Sequence, residues 1–192
     1  MLASFKPRSH SLVMRQITFH NAGPEDYEIV AQLHVASWRK TYAHIYPQSF
    51  LQNEAPEERR AYWKKVLERD SGKDLVILAT KHDGATIGFA GLRMLDNAAA
   101  DAHLDSLHVE SANQGLGTGR ALMSESARQL LMRGANSFDL WVYDDNRPAI
   151  DFYTRLGGVA VERGFEDIYG GRFAHTRIAW HDLPALIEVC AP

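Results

Sequence analysis

The sequence predicts an α+β domain, one sheet containing antiparallel strands and flanked by helices. Three observations carry that prediction. Residues 15–20 (RQITFH) alternate apolar and polar, as a half-buried strand does, and a helical pattern follows at once. Two β-rich runs, 75–80 and 86–92, flank His82-Asp83-Gly84-Ala85, whose Asp-Gly pair signals a hairpin. Residues 107–122 then run from an apolar strand through a glycine-rich turn directly into a helix start. Antiparallel strands ahead of such a turn argue against a doubly wound parallel sheet.

Each element follows from a local cause. Pro24-Glu25-Asp26 starts a helix carrying Ile29, Val30, Leu33, Val35 and Ala36, and a second helix spans 56–68, again opening on Pro and Glu. Between them lies an aromatic segment with Trp38, Tyr42, Tyr46 and Phe50, rings that more often serve a core than a pocket. A polar, alanine-rich loop (96–101) leads to a strand at 102–109, then the glycine turn, then a helix to about residue 133 with Met123, Ala127, Leu130 and Leu131 on one face. Gly134 ends that helix. Residues 138–143 form another strand, and a helix starts at Asn146 with Pro148 in its first turn and Gly157 as its cap. Residues 159–161 and 173–180 read as closing strands, joined by a loop containing Gly170-Gly171.

The glycine turn points to a phosphate-bearing ligand. Glycines 115, 117 and 119 have no Cβ, so successive amides can face one concavity at a helix N-terminus, where a pyrophosphate gains hydrogen bonds. A nucleoside-triphosphate loop needs Lys and then Ser or Thr after its last glycine, whereas Arg120 and Ala121 follow Gly119. A dinucleotide fingerprint wants its third glycine three places after the second, in the first βαβ unit; here the interval is two and the loop lies past mid-chain. The remaining reading, an acyl-coenzyme A site, rests on a resemblance.

Residues 109–122 resemble the signature of the GCN5-related N-acetyltransferase (GNAT) superfamily: Val109, Gln114, Gly115, Gly117 and Gly119 satisfy it, with Ser111 where Pro is usual. Residues 146–157 resemble a second family motif through Asn146, Ala149, Phe152-Tyr153 and Gly157, with Gly158 in place of a common Phe. The resemblance covers roughly residues 15–180. It implies a mixed, mostly antiparallel sheet of six or seven strands, about four helices and splayed central strands. It also implies acetyl-CoA as acyl donor, no metal, and a primary amine on a small molecule or peptide as acceptor, attacked directly in a ternary complex. The backbone of Leu107, His108 and Val109 is expected to pair with the pantetheine arm, and the amides of Gln114, Gly115, Leu116, Gly117, Thr118 and Gly119 to hold the pyrophosphate. Arg120 either adds charge there or is an ordinary solvated side chain. Asn146 caps its helix and is also a candidate to bond the coenzyme arm.

Tyr153 matches the family's general acid, which returns a proton to the leaving thiolate, yet it also lies on one helix face with Ala149, Phe152 and Leu156, where packing alone explains it. For the base, His103 and Asp105 lie two apart on one strand and so share a face, at positions where the family places an acid or histidine. An imidazole accepts protons near neutrality, with Asp105 orienting it or acting through water. His108, of opposite parity, is the weaker candidate, and a solvated sheet face is the bland account of the pair. Trp38, Tyr42, Glu162 and Phe165 are the expected acceptor-side residues. A non-catalytic acyl-CoA sensor and a transferase using a longer acyl chain remain alternatives.

Composition sets the outer bounds. The chain has 192 residues, 45% hydrophobic, which suits one compact domain, expected at 15–185 between a flexible leader (1–14) and a tail (186–192). A formal net charge of −3 with acids and bases interspersed supplies no basic field for nucleic acid or anionic lipid. The single cysteine, Cys190, excludes an internal disulfide and a cysteine-cluster metal site, and reads as a loose terminal thiol. No apolar run approaches the roughly 18 residues of a membrane span, so a cytoplasmic monomer or homodimer is expected.

Overall fold

The computed structural model describes residues 17–69, 71–96 and 99–191, so the leader read at 1–14 lies outside the described residues. Strand β1 (Ile17–Asn21) is followed by a short turn of helix (Pro24–Asp26) and α1 (Tyr27–Thr41). The Gly23 N–H donates to the Asp26 carboxylate at 2.8 Å, satisfying an amide left over at the start of the helical segment. A helical turn (Phe50–Glu54) then runs into α2 (Ala55–Glu68). The predicted hairpin forms as β2 (Asp74–Lys81) and β3 (Thr86–Met94), and β4 (Ala102–Val109) returns beside β3. After the glycine loop come α3 (Thr118–Met132), β5 (Phe138–Tyr143), α4 (Arg147–Arg155), β6 (Val159–Ile168), β7 (Gly171–Trp180) and α5 (Leu183–Val189).

The seven strands make one sheet in the order β1-β2-β3-β4-β5-β7-β6. Every neighbouring pair is antiparallel except β4 and β5. Those two run parallel and pair only at Ala102 with Phe138 and His103 with Asp139. Beyond that short seam they diverge, so the β5-facing edge of β4 from residue 104 onward has no strand partner among the described residues. Alternation along β2 sends Leu75, Ile77 and Ala79 to a core shared with α3 and α5, and Val76 and Leu78 to a second core under α1 and α2. The sheet is therefore covered on both faces, and the gap opens within the sheet itself.

Three expectations need correction. The closing hairpin is longer than read: β6 continues to Ile168, and Ile168 pairs with Gly171 across the two-residue turn Tyr169-Gly170. Both turn residues have positive φ, 48° and 77°, the backbone that continues the twist of the flanking strands. The tail is not a tail, because α5 runs to Val189, capped where the Asp182 carboxylate accepts from the Ala185 N–H at 2.9 Å. Cys190 is buried against the larger core rather than loose, and burial pushes its thiol pKa up, with Arg120 opposing.

Gly158 has a clear cause. A Cβ there would lie 2.6 Å from Ile178 and 2.7 Å from Trp180. Trp180 stacks on Phe138 and donates its indole N–H to the Leu156 carbonyl at 2.9 Å, so an aromatic from β7 occupies the space against this glycine.

Candidate active site

The divergence of β4 and β5 opens a cleft of ≈ 1030 Å³. Its walls bring together the residues of both sequence motifs: Leu107, His108, Val109, Gln114, Gly115, Gly117, Gly119 and Arg120 from the β4 side, and Asn146 and Tyr153 from the β5 side. Leu116 and Thr118 are not among its lining residues; Thr118 is buried, its hydroxyl directed to the Asn113 carbonyl at 3.5 Å.

The loop is built by two glycines in the left-handed region, Gly115 (φ 74°) and Gly117 (φ 91°), the latter at the cap position of α3. Gly119 is the second residue of α3, in its N-terminal turn, and an added Cβ would make ordinary contacts, 3.4 Å from Phe152 and 3.8 Å from Val109. Gln114 ties the loop down by donating its side-chain amide to the Val109 carbonyl at 2.9 Å. Arg120 is exposed and borders the cleft, and its guanidinium also donates to the carbonyls of Val189 and Ala191, holding the end of α5. A further cation beside the loop is Lys40, which donates to the Ser111 hydroxyl at 3.1 Å and approaches the Gln114 side-chain oxygen Oε1 at 3.5 Å. Lys40 lies in the last turn of α1, far from the motif in sequence, and was not among the expected residues.

Asn146 uses both ends of its amide. The oxygen accepts from the Ala149 N–H at 3.3 Å, capping α4, and the nitrogen donates to the Tyr42 hydroxyl at 3.3 Å. Tyr153 is buried and lines the cleft, and its hydroxyl has no hydrogen bond among the described residues. Burial, with the nearby Tyr42 adding, raises its pKa well above 10, so it keeps its proton through neutral and mildly alkaline pH.

On the β4 side the register shifts: Gly91 pairs with Ser106 and Leu92 with Leu104, leaving Asp105 as the extra residue of a bulge. Bulges re-aim side chains. Trp63 packs over the same spot, since a Cβ on Gly91 would meet its ring at 2.7 Å. Asp105 accepts from Ser106 at 3.0 Å and Tyr62 at 3.4 Å and has no ion pair among the described residues.

A second cavity of ≈ 550 Å³ adjoins the cleft, and only Asp105 and Trp141 line both. His103 opens on this second cavity alone, and its partner is Asp139 rather than Asp105, at 2.6 Å through Nδ1. Arg177 bridges Asp139 at 2.9 Å and Glu162 at 2.8 Å. Burial would raise the Asp139 pKa, but the hydrogen bonds and charges of His103 and Arg177 together outweigh it and hold the carboxyl below its ordinary value. Glu162 thus lies within an ion-pair chain beside the cavity. Phe165 lines neither space; it is 56% exposed, with the Arg172 guanidinium 4.8 Å from its ring.

Trp38 and Tyr42 line the cleft, and so does Tyr46, which sequence reasoning assigned to the core. Trp38 stacks on Tyr46 at 4.9 Å, and Tyr169 from the β6–β7 turn reaches across to Tyr46 (5.7 Å) and Phe50 (5.5 Å). Tyr143 donates to Glu166 on the same side. Below β4, His34 accepts the Trp63 indole N–H at Nδ1 (3.1 Å) and lies 4.6 Å from the His108 ring. Arg59 also lines the cleft and was not anticipated.

A parted pair of central strands beside a glycine turn at a helix start defines a class of fold before any comparison is made. The chain belongs to the acetyltransferase (GNAT) family, whose model matches residues 31–158. The N-acetyltransferase YuaI of Bacillus subtilis (strain 168) is 31% identical over 172 residues, 88% of this chain and 96% of that protein. The spermidine N(1)-acetyltransferase of Thermoplasma acidophilum is 24% identical over 135 residues, 69% of this chain and 82% of its own. Among solved structures, the PaiA N-acetyltransferase of Thermoplasma acidophilum in complex with coenzyme A superposes with a TM-score of 0.67 at 23% identity, covering 83% of this chain and 97% of that one. Among the described residues no helix is long and apolar enough to cross a membrane.

Proposed function

We propose that the protein moves an acetyl group from acetyl-CoA to a primary amine by direct attack within a ternary complex. One observation carries the reading: the glycine loop, the unpaired edge of β4 and the Tyr153 phenol all line a single cleft. The amides at Gly115 and Gly117, with Lys40 beside them, suit a pyrophosphate. The free edge of β4 suits the amide-bearing pantetheine arm, which pairs as a strand would, and a backbone N–H there is fixed in advance where negative charge develops on the acyl oxygen.

Proton handling divides between the two walls. Asp105, standing between the cavities, takes the proton that an ammonium must lose before attack, directly or through a water, and His103 beyond it is a second station. The new N–C bond forms as the C–S bond breaks, and Tyr153 returns a proton to the departing thiolate. Thiol release from acetyl-CoA, measured over polyamines, amino acids, aminoglycosides and peptide N-termini, tests the proposal. Release with at least one amine supports it; stoichiometric binding of acetyl-CoA without release over the whole panel replaces it with a sensor.

A further inference from the structure

Resting on the transfer reading above, we infer that the acceptor is an amine with a carboxylate next to it, of the α-amino acid class, and that Arg59 is the residue that selects it. Arg59 stands on α2 with its side chain only 14% exposed, yet it borders the cleft in which the reaction is placed. Its guanidinium is clamped between two rings, 4.8 Å from Trp38 and 4.6 Å from Tyr62. Stacking of this kind fixes the plane of the group and directs its donors edgewise.

Those donors are under-used. Nη2 reaches Glu58 at 2.7 Å, the preceding residue on the same helix, whose side chain is 48% exposed. Nε is buried with no partner, and Nη1 has no hydrogen bond among the described residues. Nε is enclosed, so the donor left for a carboxylate is Nη1, beside the Nη2 that Glu58 shares.

Asp105 supplies the other half. Tyr62 spans the two groups, with Arg59 over its ring and its hydroxyl 3.4 Å from Asp105. A cation with free donors and an acid without an ion pair therefore stand about one tyrosine ring apart on one wall. A zwitterion fits that pattern, ammonium to Asp105 and carboxylate to Arg59.

The second cavity adjoins this pair. Among its other acids Asp74 pairs with Arg93 at 2.8 Å, while Asp139 and Glu162 share Arg177. Trp63, Val66, Leu92 and Trp141 among its lining give it room for a side chain of the acceptor, reached past Asp105.

Paired acceptors that differ only in the α-carboxylate decide the matter: tyrosine against tyramine, ornithine against putrescine, phenylalanine against phenethylamine, methionine against its decarboxylated amine. With kcat/KM from thiol release, the wild-type protein is expected to favour the amino acid at least about tenfold in one or more pairs. Arg59→Met should shrink that ratio at least about tenfold and Arg59→Lys by less, each about 1.4 kcal/mol per tenfold step. Preference for the decarboxylated member in every pair, or turnover confined to polyamines or peptide N-termini, overturns the inference without any variant. An equal loss on both members of each pair in Arg59→Met overturns the selecting role and leaves Arg59 as packing. Absence of thiol release with every amine is a separate signature: it removes the transfer reading, and this inference with it.

Discussion

Acid should loosen the wall beneath the donor cleft, because His34 and His108 are held there without a charge. Burial is the main cause for both. It keeps His34 well below 6.5, with the charges of His108 and Arg59 adding, and brings His108 from 6.5 to about 4. In the unfolded chain each imidazole takes a proton near 6.5. Between the folded and unfolded values the unfolded chain binds more protons, so this stability is complete above about pH 6.5 and is lost as pH falls toward about 4. For His108 alone the loss reaches about 1.4 kcal/mol near pH 5.5 and about 2.5 kcal/mol near pH 4.5. Both figures are upper values, since the ring borders an open cleft and retains some contact with water. Urea unfolding followed by tryptophan fluorescence, repeated at about four pH values across that window, reads the slope directly. His108→Leu should lower the slope by up to about 1.4 kcal/mol per pH unit, one proton's worth. Parallel losses in wild type and variant would refute the reasoning, because the acid sensitivity would then come from other groups.

Three further outcomes are expected. Tyr153→Phe should lower kcat at least about tenfold with little change in KM for acetyl-CoA, because the hydroxyl has no structural hydrogen bond to lose; unchanged turnover would remove its role as acid. Lys40→Met should reduce kcat/KM for acetyl-CoA about tenfold relative to S-acetylpantetheine, which has no pyrophosphate, and an unchanged ratio would assign Lys40 to loop anchoring alone. Gly158→Ala should destabilise the fold by about 1–3 kcal/mol in chemical unfolding, given contacts of 2.6 and 2.7 Å at the new methyl. Wild-type stability there would mean that Ile178 and Trp180 give way freely.

The parts of this fold that sequence made legible are those with a local cause. Strands 102–109 and 138–143 have the bounds that their apolar patterns predict, and the Asn146 cap and the positive φ of Gly115, Gly117, Gly134 and Gly157 follow from side-chain chemistry at single positions. Strand β6 was cut short because its residues are mostly exposed and give no alternation to read; it exists through its pairing with β7. The candidate site was half visible. Tyr153 and most of the loop, singled out by motif spacing, line the cleft, and so does Asp105, read from its parity with His103 on one strand. His103's partner, Asp139, and the cation Lys40 beside the loop come from elements 36 and 74 positions away in sequence from the groups they contact, and no local pattern reports such a meeting. Arg59 left one clue, its place three residues before Tyr62 on a helix, the spacing at which a cation covers a ring.

The two halves of the sheet meet at the seam of His103 with Asp139, and the β6–β7 turn is tied to the segment between α1 and α2 where Tyr169 rests on Tyr46 and Phe50. A gap fastened at both ends has its width set before anything enters. A thioester arm would then thread a ready slot instead of prising strands apart, and little of its affinity would be spent on ordering the protein. Amide exchange along β4 and β5 offers a view of this: in the empty protein it should be about as slow as the ladder permits, and addition of coenzyme A should slow chiefly the amides on the open edge.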